Sequence, residues 1–158
     1  MPLATLSRLL NTGWVIALLA SDAQAQVTLD GLWVRAMPPT QSMTAAYGSV
    51  TNHSEASITI RGASAPFAGS AALHSTLTDG SAVRMTAMGD VTLAPGEVLT
   101  LSPGGGHIML MDIDTMPSPN SQVQICFETD GQRVCGIAKV LRNAPQDDHD
   151  GHHHHMNH

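Results

Sequence analysis

Four side chains in this sequence carry soft donor atoms at a spacing that allows them to work together: His74, Met85, His107 and Met109. In His107-Ile108-Met109 the imidazole and the thioether are two residues apart, so on a strand both project from one face. His74 and Met85 flank the turn dipeptide Asp79-Gly80, and two strands joined there bring a second imidazole–thioether pair within reach. Two imidazoles and two thioethers make a neutral, soft donor set. It suits Cu(I), which favours sulfur and accepts low coordination numbers. It suits zinc less, since zinc prefers thiolate, imidazole or carboxylate, and calcium or magnesium not at all. Type and spacing alone leave a plainer reading open, with the methionines as core gap-fillers and each histidine as an accommodated strand residue.

The elements that must position these residues read as strands. Short alternating or apolar stretches recur at 27–37, 45–51, 57–62, 71–78, 83–88, 98–102, 107–113, 122–128 and 133–141. Turn chemistry separates them, including Pro38-Pro39, Ala94-Pro95-Gly96, Pro103-Gly104-Gly105-Gly106 and Asp130-Gly131. No long stretch keeps a helical period, so an all-β sandwich or barrel is expected. At 158 residues there is room for one domain. A 42% hydrophobic content can build a core, and 3% aromatics make that core mainly aliphatic. The net charge of −6, with only seven unclustered Lys and Arg, argues against a nucleic-acid partner.

Both ends differ from this body. Residues 1–25 read as an export signal: Arg8, then the apolar run from Gly13 to Ala20, then Ala23-Gln24-Ala25 as a cleavage pattern before Gln26. The apolar run is too short for a membrane-spanning helix, and no later segment reaches that length. The mature chain is therefore expected in the periplasm, as a monomer without a membrane span. Residues 26–142 form the expected domain. Residues 143–158 read as a disordered tail with almost no apolar content, carrying His149, His152, His153, His154, His155, Met156 and His158. A purification tag would give six successive histidines. Four, set among acidic residues and followed by Met156-Asn157-His158, read as a native extension able to hold Cu(II).

Cys126 and Cys135 are the only cysteines. If Asp130-Gly131 forms a two-residue type I′ hairpin turn, Cys126 falls directly opposite Cys135 on a non-hydrogen-bonded pair, where side chains approach closest. A cross-strand disulfide then follows in an oxidising compartment. A redox switch and a copper–thiolate site are the alternatives.

The chain resembles the periplasmic copper chaperone PCu(A)C family. His74, ten residues, Met85, twenty-one residues and His107-Ile108-Met109 reproduce that family's motif. Trp33-Val34-Arg35-Ala36-Met37-Pro38-Pro39, Thr44-Ala45-Ala46-Tyr47 with Thr51-Asn52, and Pro103-Gly104-Gly105-Gly106 before the His-x-Met strand are similar to its flanking pieces. The resemblance spans about residues 30–141. It implies a cupredoxin-like Greek-key β-sandwich that carries Cu(I) on His74, Met85, His107 and Met109. It also implies delivery to the binuclear copper centre of cytochrome c oxidase, directly or through a thiol-bearing assembly factor. The family often carries an acidic residue and further methionines just after its first histidine. Here Ser75-Thr76-Leu77-Thr78 stand there, which leaves Met88 and Met111 as candidate accessory donors.

Other functions would need other residues. Metal storage through the tail alone would make the four body residues irrelevant to binding. A blue-copper electron carrier needs a Cys thiolate with two histidines, and neither cysteine is closely followed by a histidine. A copper enzyme using an N-terminal histidine would require one at the mature start, where Gln26 is expected. No Ser-His-Asp arrangement or paired carboxylates present themselves, so no enzymatic activity is expected. His53 reads as an exposed loop residue.

Overall fold

The computed structural model describes residues 26–80 and 82–145. The expected signal segment 1–25 and the expected tail donors His149, His152, His153, His154, His155, Met156 and His158 lie outside the described residues. The described chain runs through ten strands: β1 (Val27–Arg35), β2 (Thr44–Asn52), β3 (Ile58–Ser64), β4 (Ser70–Asp79), β5 (Ala82–Ala87), β6 (Val91–Leu93), β7 (Val98–Leu101), β8 (Gly106–Met111), β9 (Gln122–Thr129) and β10 (Arg133–Leu141). Nine of them fall within two residues of the stretches that alternation and turn residues mark out. The tenth, β6, has only three residues, too few to show a period. No helix occurs among the described residues, and hence none long and apolar enough to cross a membrane.

Strands hydrogen-bond in the order β5-β4-β8-β2-β1-β10-β9-β3-β6, with β7 also on β2. All pairs are antiparallel except β1 with β10. The arrangement is a cupredoxin-like β-sandwich. β2 serves both layers: Thr44 to Ala46 pair with β8, and Gly48 to Thr51 pair with β7. At the changeover Gly48 has φ 142°, and a Cβ there would lie 2.8 Å from Leu32 Cδ2 and 2.9 Å from the Asp30 carbonyl oxygen. Only glycine fits this backbone. Opposite it, β1 shifts register between Asp30 and Trp33, with Gly31 at φ 59°. An extra residue of this kind bends a strand and re-aims the side chains beyond it. Here it sends Val34 inward to the core and Trp33 to the opposite face.

The core is aliphatic, as the composition requires. Val34, Val50, Ile60, Ile108, Leu110, Ile125 and Val140 are fully buried, and Phe127 is the one aromatic ring among the buried members of the cluster. Burial of each such side chain stabilises by about 1.5–3 kcal/mol. Asn52 is buried too, and every part of its amide is used. Its Nδ2 donates to the carbonyls of Ala56, Leu93 and Ala94, and its Oδ1 accepts from Ser54. This side chain ties the end of β2 to the end of β6.

The β9–β10 hairpin has the expected register, with Cys126 opposite Cys135. The two form a disulfide with their Cα atoms 4.0 Å apart. The turn, however, is not type I′, since neither Asp130 nor Gly131 has the positive φ that type requires. Thr129 closes it instead. Its Oγ1 accepts from the Gln132 amide at 3.0 Å and donates to the Gln132 carbonyl at 2.7 Å. The Asp130 amide meanwhile donates to the Thr59 carbonyl on β3. A side-chain hydroxyl thus replaces the backbone contact that would otherwise have selected the turn type.

Candidate metal centre

β4 and β8 pair antiparallel, and their register sets His74 directly opposite His107 and Ala72 opposite Met109. The two imidazole centroids are 5.9 Å apart, with the rings tilted by 57°. On the other side of β4, β5 places Ala87 opposite His74 and Met85 opposite Thr76. Cross-strand partners share a face, and so do residues two apart. His74, His107, Met109 and Met85 therefore project from one face of the three strands. The other face, through Leu73, Ile108 and Leu110, belongs to the core.

The site varies in depth. His107 is only 5% exposed, whereas Met85, on the edge strand, is 60% exposed. His74 and Met109 are intermediate. What buries His107 is a row of rings on neighbouring strands. Tyr47 of β2 lies 6.4 Å from its ring, and Trp33 of β1 stacks on Tyr47 at 4.5 Å. In the sequence Trp33 and Tyr47 stand out only as parts of the strands that flank the motif. The signal was available in their alternation, because each is out of phase with core-facing Val34 and Ala46.

The glycine-rich approach to β8 fixes the histidine. His107 Nδ1 sits 3.2 Å from the Gly105 carbonyl. A carbonyl only accepts, so Nδ1 carries the proton, and in the neutral ring Nε2 is the nitrogen with the free lone pair. The same carbonyl accepts from the Thr76 amide at 3.1 Å, locking β4 to the loop beside the site. His74 differs: its Nδ1 is buried and has no hydrogen-bond partner. Such an atom carries a desolvation cost unless something binds it. Among the described residues, no three His, Cys, Asp or Glu side chains converge on a common point. Beside the two imidazoles, the side-chain sulfur donors on this face are the thioethers of Met85, Met109 and Met111.

The accessory candidates divide. Met111 shares the face of Met109, opposite Ser70. Met88 does not belong with the site. It lies one residue beyond Ala87, so alternation turns it over, and it packs against the core with its amide donating to the Leu73 carbonyl. His53 is exposed and bonds Thr28 Oγ1 at 2.9 Å, away from the four residues. The disulfide removes both thiols, leaving no thiolate for a blue-copper centre.

Comparison with known proteins gives a consistent picture. The family described as "Putative lipoprotein LpqE-like" matches residues 27–135. "Putative lipoprotein Lxx21020" of Leifsonia xyli subsp. xyli is 35% identical over 138 residues, covering 84% of this chain and 82% of that protein. The solution structure of apo-DR1885 from Deinococcus radiodurans is 32% identical, with TM-score 0.58, covering 90% of this chain and 97% of that one. The same protein with Cu(I) matches at 30% identity and TM-score 0.51, covering 78% and 84%. The copper-bound PCuAC domain from PmoF2 shares the fold at 20% identity, with TM-score 0.61, over 75% of this chain and 95% of that domain.

Proposed function

This chain belongs to the LpqE-like lipoprotein family and has the fold of PCuAC domains, and from that premise we propose that it is an exported metallochaperone whose cargo is Cu(I). His74, His107 and Met109 bind the ion on the outer face of β4 and β8, and Met85 reaches it from β5. The observation that carries this reading is the pairing of His74 with His107 across two strands, with the buried, unpartnered Nδ1 of His74 beside it. The Cu(I) form of the DR1885 relative gives it further support.

The donor set matches the task. Neutral nitrogen and thioether ligands favour the monovalent ion over Cu(II). The Gly105 carbonyl holds His107 in one tautomer, which orients the ring and raises its basicity as a ligand. Exchange begins at the exposed end. Met85 lies on an edge strand and is the most open of the four, so an incoming ligand displaces its sulfur first, while His107 stays anchored beneath. No bond in the protein is made or broken, and the ion keeps its oxidation state. The recipient in this reading is the binuclear copper centre of cytochrome c oxidase or a thiol-bearing factor that assembles it. The chain acts in the periplasm after cleavage following Ala25, and its histidine-rich tail captures Cu(II).

X-ray absorption at the copper edge tests the donor set. Loading with less than one equivalent of Cu(I) should give a first shell of both imidazole nitrogen and sulfur, and Met85→Leu should reduce the sulfur part. A shell of nitrogen alone would refute the site and favour storage by the tail.

A further inference from the structure

We propose that Met109, Met111 and Met43 form a second site, built of thioethers alone, for a soft monovalent cation. It rests on the foregoing reading only in sharing Met109. On β8 the inward residues Ile108 and Leu110 are ordinary core residues. The outward residues are His107, Met109 and Met111. An outward position on a sheet with one buried face normally carries a polar residue. Here two successive positions carry methionine, and both remain partly exposed.

Their neighbours across the strands are small. Met109 lies between Ala45 of β2 and Ala72 of β4, and Met111 lies opposite Ser70 of β4. None of these is large enough to cover a thioether. The β2–β8 register runs Ala46 to Ile108, Ala45 to Met109 and Thr44 to Leu110. Continued one step beyond Thr44, the last paired residue, this register would set Met43 opposite Met111, and Met43 is 49% exposed. The core does not need these three side chains. Met116 is buried in it, and Met37 and Met88 pack against it.

The spacing is short enough for one ion to bridge. Cross-strand neighbours stand about 5 Å apart at Cβ, and same-face residues on one strand about 7 Å apart. Each thioether hangs on three rotatable bonds, so three sulfurs can close on one centre. A neutral three-sulfur set selects Cu(I) or Ag(I) over zinc or Cu(II). Because Met109 serves both sites, an ion can pass between them by exchanging ligands without leaving the sheet face.

The test uses the full chain with 13C-methyl methionine, titrated with silver nitrate in chloride-free buffer. Ag(I) requires no reductant, so the disulfide is left intact. The expected result is that the Met85 and Met109 methyl signals shift with the first equivalent, and that with the second Met43 and Met111 shift while Met109 shifts again, as its sulfur is drawn to the second ion and the first keeps His74, His107 and Met85. The double variant Met43→Leu/Met111→Leu should keep the first response and lose the second. If Met43 and Met111 stay still through three equivalents while Met85 and Met109 respond, the second site is refuted and the first reading stands. If none of the four moves, both are refuted.

Discussion

The rings of His74 and His107 face one another across β4 and β8, 5.9 Å apart, on the side of the sheet that the hydrophobic core leaves free. They should therefore respond to Cu(I) as a pair. Nitrogen-15 spectra of the imidazoles should show His74 and His107 shifting together at the first equivalent. His53, bonded to Thr28 elsewhere on the surface, should stay unmoved. A shift confined to one of the two would mean that the cross-strand pair does not share the ion.

Gly48 bends β2 where it passes from β8 to β7. Gly48→Ala must place a Cβ 2.8 Å from Leu32 Cδ2, on a backbone at φ 142° that alanine does not tolerate. The expected cost is about 2–4 kcal/mol, from strain plus overpacking. Denaturant unfolding should show it as a lower midpoint at unchanged slope. A midpoint equal to that of the parent would show that the bend does not depend on glycine.

The disulfide closes a loop across a sequence separation of nine. The chain-entropy model assigns a loop of that length about 2–3 kcal/mol. Cys126→Ala/Cys135→Ala should lower stability by that order. Its Cu(I) affinity should stay within about twofold, since β10 is separated from β8 by β1 and β2 and distant sites seldom couple. A large loss of copper binding in the folded double variant would reassign the cysteines to function.

How much of this was legible beforehand follows from the period of each segment. β8 was readable because His107-Ile108-Met109-Leu110-Met111 alternates without a break, and the Cys126–Cys135 pairing because a short hairpin fixes its register. The turn type is not legible, because Asp130-Gly131 suits type I′ by composition, whereas the hydroxyl of Thr129 settles the geometry. Met88 is a candidate donor by residue type, and only its phase relative to Ala87 sends it to the core. The facing of His74 and His107 depends on a pairing between residues far apart in the chain. No local pattern encodes that register, and family spacing was its only sequence signal.

Removal of residues 146–158 separates the tail from the body. The cut follows Ala144 and Pro145, which line a surface cavity with Trp33, so that cavity keeps its lining. The shortened chain should lose Cu(II) binding, read by electron paramagnetic resonance, and keep its first equivalent of Cu(I). Cu(II) binding that survives the cut would place the divalent ion on the body instead.

Cu(I) affinity, measured by competition with a chromophoric chelator, tests the central claim most directly. Met85→Leu is the cleanest variant, because its side chain is 60% exposed on an edge strand and the fold does not depend on it. His107→Gln is its partner, with a folding check by circular dichroism. Each should weaken the first equivalent by at least about 10- to 100-fold, the range seen even when outer-shell partners of a metal ligand are lost. Parental affinity in both folded variants would contradict the account and leave the histidine-rich tail as the holder of copper.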